Sequence, residues 1–311
     1  MQRRSFLQQT TSCSAYLSTL SAFGLGEMLA ADVKRPVVAQ TPFARLEEIA
    51  PGVWAAVSTH FESNDFTLLC NSGIIQGDDR VMVLEGTMST KGAQWLSEQA
   101  KKLTGKAPTD LVISHFHGDH TNGHSGYPNP RTWITAATKA GAEERFATSD
   151  PVIPNFPDVE TLSESEPTVV DLGNRLVTLV PRKGHTSSDV TIEISDPNVI
   201  WTGDLYFNRV FPNYGDSTPP LLNQFGETLD ELNDSTIVVP GHGSVADQSD
   251  IQVYRAFLAE LETAAKEAHA SGEEAVAAAA QYTLPDPFAE WVIWAPDNIE
   301  RAFKAWYRTL G

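Results

Sequence analysis

Residues 111–124 read Leu-Val-Ile-Ser-His-Phe-His-Gly-Asp-His-Thr-Asn-Gly-His. Four of them, His115, His117, Asp119 and His120, fall within six positions. Imidazole and carboxylate together are the ligands of a borderline divalent ion such as zinc. The apolar run Leu111-Val112-Ile113 reads as the end of a buried strand. In extended or turn backbone, alternate side chains share a face, so His115 and His117 can grip one ion. Gly118 lets the chain turn sharply, so Asp119 and His120 can face a second position. The bland alternative is a polar loop with surface histidines. Three His and one Asp in six residues weigh against it.

Three more positions repeat one pattern of apolar strand, glycine and metal-ligand type. They are His185 after Gly184, Asp204 after Gly203 and His242 after Gly241. Each stands where a strand gives way to a loop, and the glycine permits the close approach a metal site needs. A lone His or Asp after a strand is more often structural. Taken with 115–120, and in this order, the three form a set.

The elements that must position them follow from the rest of the chain. At 311 residues, one or two domains with a real core are expected. Short apolar runs at 53–57, 67–75, 81–84 and 111–114 read as strands, with further strands at 132–135, 168–170, 176–180, 190–194, 199–201 and 236–239. Helical spacing appears at 90–104, where Ala93, Leu96, Ala100 and Leu103 share a face, at 139–147 and within 220–233. From Ile251 the chain reads helical almost to its end. The proline-bearing stretch 149–167 reads as a loop and a candidate wall over the site. Residues 32–46 read as an N-terminal arm, and 47–311 as a single domain.

Residues 1–31 read as an export signal. Arg3-Arg4-Ser5-Phe6-Leu7-Gln8 resembles the twin-arginine motif, and a weakly apolar region runs from Ala15 to Leu29. The expected location is therefore periplasmic. Removal of this segment would take Cys13 with it and leave Cys70 alone, which excludes an intramolecular disulfide. Cys70 reads as a small core residue in a strand. The net charge of −18 disfavours nucleic acid and anionic lipid as partners. No apolar stretch in the body of the chain is long enough to span a membrane.

The series His115-x-His117-x-Asp119-His120, His185, Asp204 and His242 resembles the metallo-β-lactamase superfamily over about residues 47–245. The stretches Gly184-His185-Thr186-Ser187-Ser188-Asp189 and Trp201-Thr202-Gly203-Asp204-Leu205-Tyr206-Phe207 resemble its broad hydrolase branch, which includes glyoxalase-like and lactonase-like members. The resemblance implies an α/β fold, a four-layer αββα sandwich, here with a helical C-terminal tail over 251–311. It implies two divalent metal ions, zinc foremost, with iron and manganese also suited to the ligand set. His115, His117 and His185 would hold one ion, and Asp119, His120 and His242 the other. Asp204 would bridge both, with room for a shared water. Asp119 would also relay a proton.

Other residues carry less. Glu85 stands where the superfamily commonly has Asp, and reads either as a partner of a ligand His or as a solvated carboxylate. Tyr206 and Asn208 follow Asp204 and read as substrate-facing or as packing. His60 sits in a polar turn that in the resembled superfamily flanks the site, and reads as surface. His124 is off the pattern, His269 reads as a helix-end cation or plain surface, and Arg182-Lys183 read as a solvated turn or as the best local basic pair for an anionic substrate.

The expected activity is a dinuclear zinc hydrolase acting on an ester, lactone, thioester or amide bond of a small molecule. Two alternatives stand beside it. One is a single-iron oxygenase of persulfides using His115, His117 or His185, and Asp204. The other is a non-catalytic, export-linked accessory protein. A nuclease would need a basic track, which the sequence lacks.

Overall fold

The computed structural model describes residues 35–311, and the export signal read over 1–31 lies outside them. Thirteen strands form two sheets among the described residues. The larger sheet runs in chain order: β1 (Val37–Thr41), β2 (Ala44–Ala50), β3 (Val53–Ser58), β4 (Ser72–Gln76), β5 (Val81–Leu84), β6 (Asp110–Val112), β7 (Arg131–Thr135) and β8 (Val159–Leu162). Its first five strands pair antiparallel, and β5 through β8 pair parallel. The smaller sheet has the order β13-β12-β11-β10-β9, from β9 (Thr168–Asp171), β10 (Leu176–Arg182), β11 (Asp189–Ser195), β12 (Asn198–Trp201) and β13 (Ile237–Val239). The helices are α1 (His60–Ser63), α2 (Thr90–Thr104), α3 (Gly118–Thr121), α4 (Ala136–Thr148), α5 (Pro219–Asp230), α6 (Gln248–Ala270), α7 (Ala275–Gln281) and α8 (Asn298–Leu310).

Strand alternation builds the layers. In β3, Val53, Ala55 and Val57 face the smaller sheet, while Trp54 and Ala56 face the opposite way. In β5, Met82 and Leu84 face inward, and Val81 and Val83 outward. Both faces are therefore apolar, as a sheet covered on both sides requires. The inner core joins these residues to Val177, Leu179, Ile192 and Trp201 of the smaller sheet. The larger sheet's outer face is covered by α2 and α4 through Ala93, Leu96, Ala100, Ala142 and Phe146. The smaller sheet's outer face, with Ile200 and Val238, is covered by α5, α6 and α8 through Leu222, Leu258, Leu261, Phe303 and Trp306. This is the expected αββα sandwich with a helical C-terminal region. Each fully buried Leu or Phe in these layers contributes roughly 1.5–3 kcal/mol.

The caps explain where helices begin. The Ser89 hydroxyl accepts from Gly92 N (3.3 Å) at the start of α2. Asp247 and Asp250 form a reciprocal capping box at α6.

Several boundaries differ from the sequence reading, among them β8, which lies inside the stretch 149–167 read as a loop and pairs with β7. The stretch read as an arm over 32–46 holds β1 and the start of β2, hydrogen-bonded as the edge of the larger sheet. Pro36 and Pro42 lie just outside the strands, where a missing N–H costs nothing. In 67–75 only Ser72 onward is strand. Leu68 and Cys70 are buried but in loop, because Asn71 turns its side chain to bridge other segments. The C-terminal helix is interrupted over 282–297, where Pro285, Pro287 and Pro296 remove donors a helix needs.

Candidate metal centre

The ligand-type residues gather at one edge of the sandwich. His115, His117, Asp119 and His120 follow β6, with Asp119 and His120 on the single turn of α3. His185 is in the β10–β11 hairpin loop, Asp204 follows β12 and His242 follows β13. The two sheets thus contribute from both sides. All but Asp119, which is partly exposed, are buried.

Two groups of donor atoms result. His115, His117, His185 and Asp204 form one, and Asp119, His120, Asp204 and His242 the other, with donor atoms within 4.8 Å of one another in each. In the first, His117 Nδ1 lies 3.1 Å from His115 Nε2 and 2.9 Å from His185 Nε2. Donors 2.0–2.1 Å from a tetrahedral ion stand about 3.3 Å apart, close to this spacing. In the second, His242 Nε2 lies 3.2 Å from Asp119 Oδ2. Asp204 divides its oxygens between them. Oδ2 lies 3.4 Å from His185 Nε2 and 3.8 Å from His115 Nε2. Oδ1 lies 3.1 Å from His120 Nε2 and 3.4 Å from His242 Nε2.

The profile of the Metallo-beta-lactamase superfamily matches residues 66–242, more than half of the chain. The chain belongs to the metallo-beta-lactamase superfamily. The relatives spread over several activities. The metallo-beta-lactamase type 2 of Bacillus sp. (strain 170) is 23% identical over 67% of this chain and 80% of its own length. The hydroxyacylglutathione hydrolase of Chelativorans sp. (strain BNC1) is 24% identical over 46% of this chain and 52% of its own. Among solved structures, the stereoselective inverting sec-alkylsulfatase Pisa1 from Pseudomonas sp. aligns with a TM-score of 0.68 and 16% identity, over 85% of this chain. This chain spans half of that one's length.

The donor set of this superfamily member fits two ions. His120 Nε2 and Asp204 Oδ1 are buried with no hydrogen-bond partner among the described residues. Buried polar atoms are rarely left so, and both point into the shared centre. Each first-group His also turns its inner nitrogen to the centre, and for two of them another group fixes the ring. His115 Nδ1 meets Ser114 Oγ at 2.9 Å. His117 Nε2 meets Asp216 Oδ2 at 2.8 Å, which leaves Nδ1 free for an ion. The backbone of His185 is held by Asp189, whose Oδ2 accepts from His185 N (3.2 Å), and whose Oδ1 and Oδ2 both accept from Thr186 N. Burial pushes the Asp189 carboxyl up to about 7, against those bonds.

Electrostatics separates the two groups. Burial holds His115 well below its ordinary value and His185 at about 3, so both are neutral and ready to ligate. Burial also opposes a charge on His120, but the carboxylates of Asp204, Asp119 and Glu85 outweigh it and hold it well above its ordinary value. His242 rises to about 9, with Asp204 and Asp119 overcoming the cost of burial. Ligation requires neutral imidazole, so metal entering the second group must expel protons at pH 7. Affinity should fall as pH drops and rise towards about 9, the His242 value. Calorimetric titration in two buffers of different ionisation enthalpy should give different apparent heats. Equal heats would contradict proton release.

The structure places the other candidates as follows. Glu85 stands with the site: Oε1 lies 3.2 Å from His120 Nδ1, at ion-pair distance though without hydrogen-bond alignment, and Oε2 accepts from Ser114 N at 3.2 Å. Tyr206 does not face the cleft. It is fully buried in the outer helical core, 4.7 Å edge-on to Tyr254, because Asp204 and Leu205 turn the chain away. Asn208 is buried and braces the His242 loop, its N–H donating to His242 O (3.0 Å) and its amide to Ser244 O (3.0 Å). His60 is not surface but 6% exposed, beside His242. His124 is packed on Phe146 and Phe156, with Nδ1 donating to Thr121 O. The same contacts put Phe156 of the loop 149–158 in the outer layer, not over the cleft. Arg182 is committed to Glu193 and to the face of Phe225. His269 packs edge-on to Tyr307.

Sequence reasoning missed Asp216 and assigned no role to Asp189. Asp189 ends the Gly184–Asp189 stretch already singled out, so its position carried a signal. Asp216 carried none. Replacing Asp216 with alanine should weaken metal binding about 10- to 100-fold, as for other partners that orient a ligand His. Competition against a chromophoric chelator measures this, and an unchanged constant would remove Asp216 from the site.

Proposed function

We propose that the chain is a dinuclear metal hydrolase, with zinc as the working ion, that cleaves an ester, lactone, thioester or amide bond of a small molecule. The observation that carries this reading is Asp204, whose two oxygens each serve a separate group of three ligands. When bound, two divalent ions supply a water-derived nucleophile at neutral pH and polarise the bond under attack. The chain's own part is to hold that pair rigidly. Ser114 and Asp216 fix two rings of the first group, and Glu85 faces the outer nitrogen of His120 in the second. Asp119 is the one partly exposed ligand, so its carboxylate is the group placed to take a proton from the reacting water and pass it on.

The intact second group, Asp119, His120 and His242, favours two ions over the single-iron alternative. The named relatives, a metallo-beta-lactamase and a hydroxyacylglutathione hydrolase among them, support hydrolysis as the reaction class. The acidic chain and the absence, among the described residues, of a helix long and apolar enough to cross a membrane are compatible with a small-molecule substrate. We place the protein in the periplasm on its paired Arg3-Arg4 and the weakly apolar region behind them. Elemental analysis of protein purified without added metal tests the reading. Two zinc per chain, with turnover on an ester, lactone, thioester and β-lactam panel, is the expected result. One iron per chain and no hydrolysis would replace it with the oxygenase. No metal taken up on titration would leave the accessory role.

A further inference from the structure

His60 is unused in the account above, and its surroundings single it out. It opens α1 directly after β3, and its ring lies 6.0 Å edge-on from His242, within electrostatic reach of Asp119. Its ring therefore stands beside the second ligand group. Phe61, at 3.7 Å, and Phe66, at 6.1 Å, pack against it.

The ring is also held in place by the brace that holds His242. Asn71 accepts from Ser58 N through Oδ1 (2.9 Å) and donates through Nδ2 to Pro240 O (2.9 Å) and Gly243 O (2.8 Å). Asn71 N donates to Gly241 O at 2.8 Å. One side chain thus locks the His60 and His242 segments together. Within that frame the Ser58 hydroxyl meets His60 Nδ1 at 2.8 Å. Among the described residues Nε2 has no partner, and it is not sealed from solvent. A buried imidazole oriented on one nitrogen and free on the other is prepared for a ligand.

We infer that His60 contacts the substrate: Ser58 orients the ring through Nδ1, and the ring in its Nε2–H tautomer donates a hydrogen bond to the departing oxygen of an ester or lactone held over Asp119, His120 and His242. This rests on the hydrolase reading and assigns it an oxygen leaving group. A hydrogen bond to a departing oxygen gains strength as charge develops there. Its loss should therefore matter most for poor leaving groups.

Two measurements test it. In the first, the metal-loaded His60→Ala and His60→Gln variants are compared with wild type on alkyl and nitrophenyl esters. His60→Ala should lower kcat for alkyl esters about 10- to 100-fold, as expected for a lost hydrogen bond to a charged atom, and for nitrophenyl esters far less. His60→Gln, which keeps a donor, should recover part of the loss, with metal content unchanged in both. Equal losses on both esters, or metal loss in His60→Ala, would make the residue merely structural and overturn the inference. The second needs no turnover. Nitrogen-15 spectra of the metal-loaded wild type should show His60 protonated on Nε2, with that resonance moving when acetate is added. Protonation on Nδ1, or no response to acetate, would overturn the inference even if hydrolysis is found. The response to acetate with no hydrolysis of any panel member would instead reject the hydrolase reading and keep His60 as a ligand contact.

Discussion

Asp204→Ala is expected to empty both metal positions at once. Among the described residues it is the member the two groups share, since Oδ2 serves the His185 side and Oδ1 the His120 and His242 side. Its loss removes one of four donors from each group. It also removes the carboxylate that most strongly raises His242, so the imidazoles can shed their protons and the fold survives without a stranded charge. At free zinc that saturates wild type, the variant should hold no ion. Hydrolysis should fall by at least about 10³-fold, more than removal of one oxyanion donor typically costs. Melting temperature in the presence of zinc should drop to that of the metal-free protein, since the linked stabilisation, about 2.7 kcal/mol at 100 times Kd, disappears. Two ions per chain with near-normal turnover would sink the bridging role.

Gly241→Ala is expected to have nearly as large an effect through a side chain that binds nothing. A Cβ at this position would stand 2.0 Å from Asp204 Oδ1 and 2.8 Å from the Gly203 carbonyl carbon. Neither can yield easily. Asp204 is wedged between ligands, and Gly241 N donates to both Gly203 O (2.8 Å) and Tyr206 O (3.1 Å). Overpacking of this kind costs about 1–3 kcal/mol in an ordinary core. Here the strain falls on the bridging carboxylate, so metal affinity should drop by more than about tenfold, since orienting contacts alone are worth 10–100-fold. Thermal melts with and without zinc separate the two terms. A variant destabilised equally in both conditions would show that the clash is absorbed elsewhere.

The part of the site legible in the sequence was the part encoded locally. His115 to His120 lie within six residues, and His185, Asp204 and His242 each follow an apolar strand and a glycine. The strands were legible for the same reason, as short continuous apolar runs, because β3 and β5 are covered on both faces. What was hidden was relational. Asp216 meets His117 across 99 positions from a loop with no motif. His60 sits in a turn whose polar composition reads as surface, yet Asn71 pulls that turn against the His242 loop. Tyr206 adjoins Asp204 in sequence, but the short turn at 203–205 sends it into the helical core. The strand β1 and the start of β2 read as an arm because prolines flank them, and proline at a strand boundary looks in sequence like proline in a linker.

The ligands come from both sheets: His115 to His120 from loops of the larger, and His185, Asp204 and His242 from loops of the smaller. A metal ion held at either group would therefore be a removable cross-link between two halves that are otherwise joined by the apolar core and a few hydrogen bonds, those of Asn71 among them. Its strength follows free metal concentration, by about 1.4 kcal/mol for each tenfold change near saturation. Scarcity of metal would then do more than stop turnover. It would loosen this edge of the sandwich first, exposing the loops that carry the ligands to proteases and making the survival of the protein itself report on the supply of its ion.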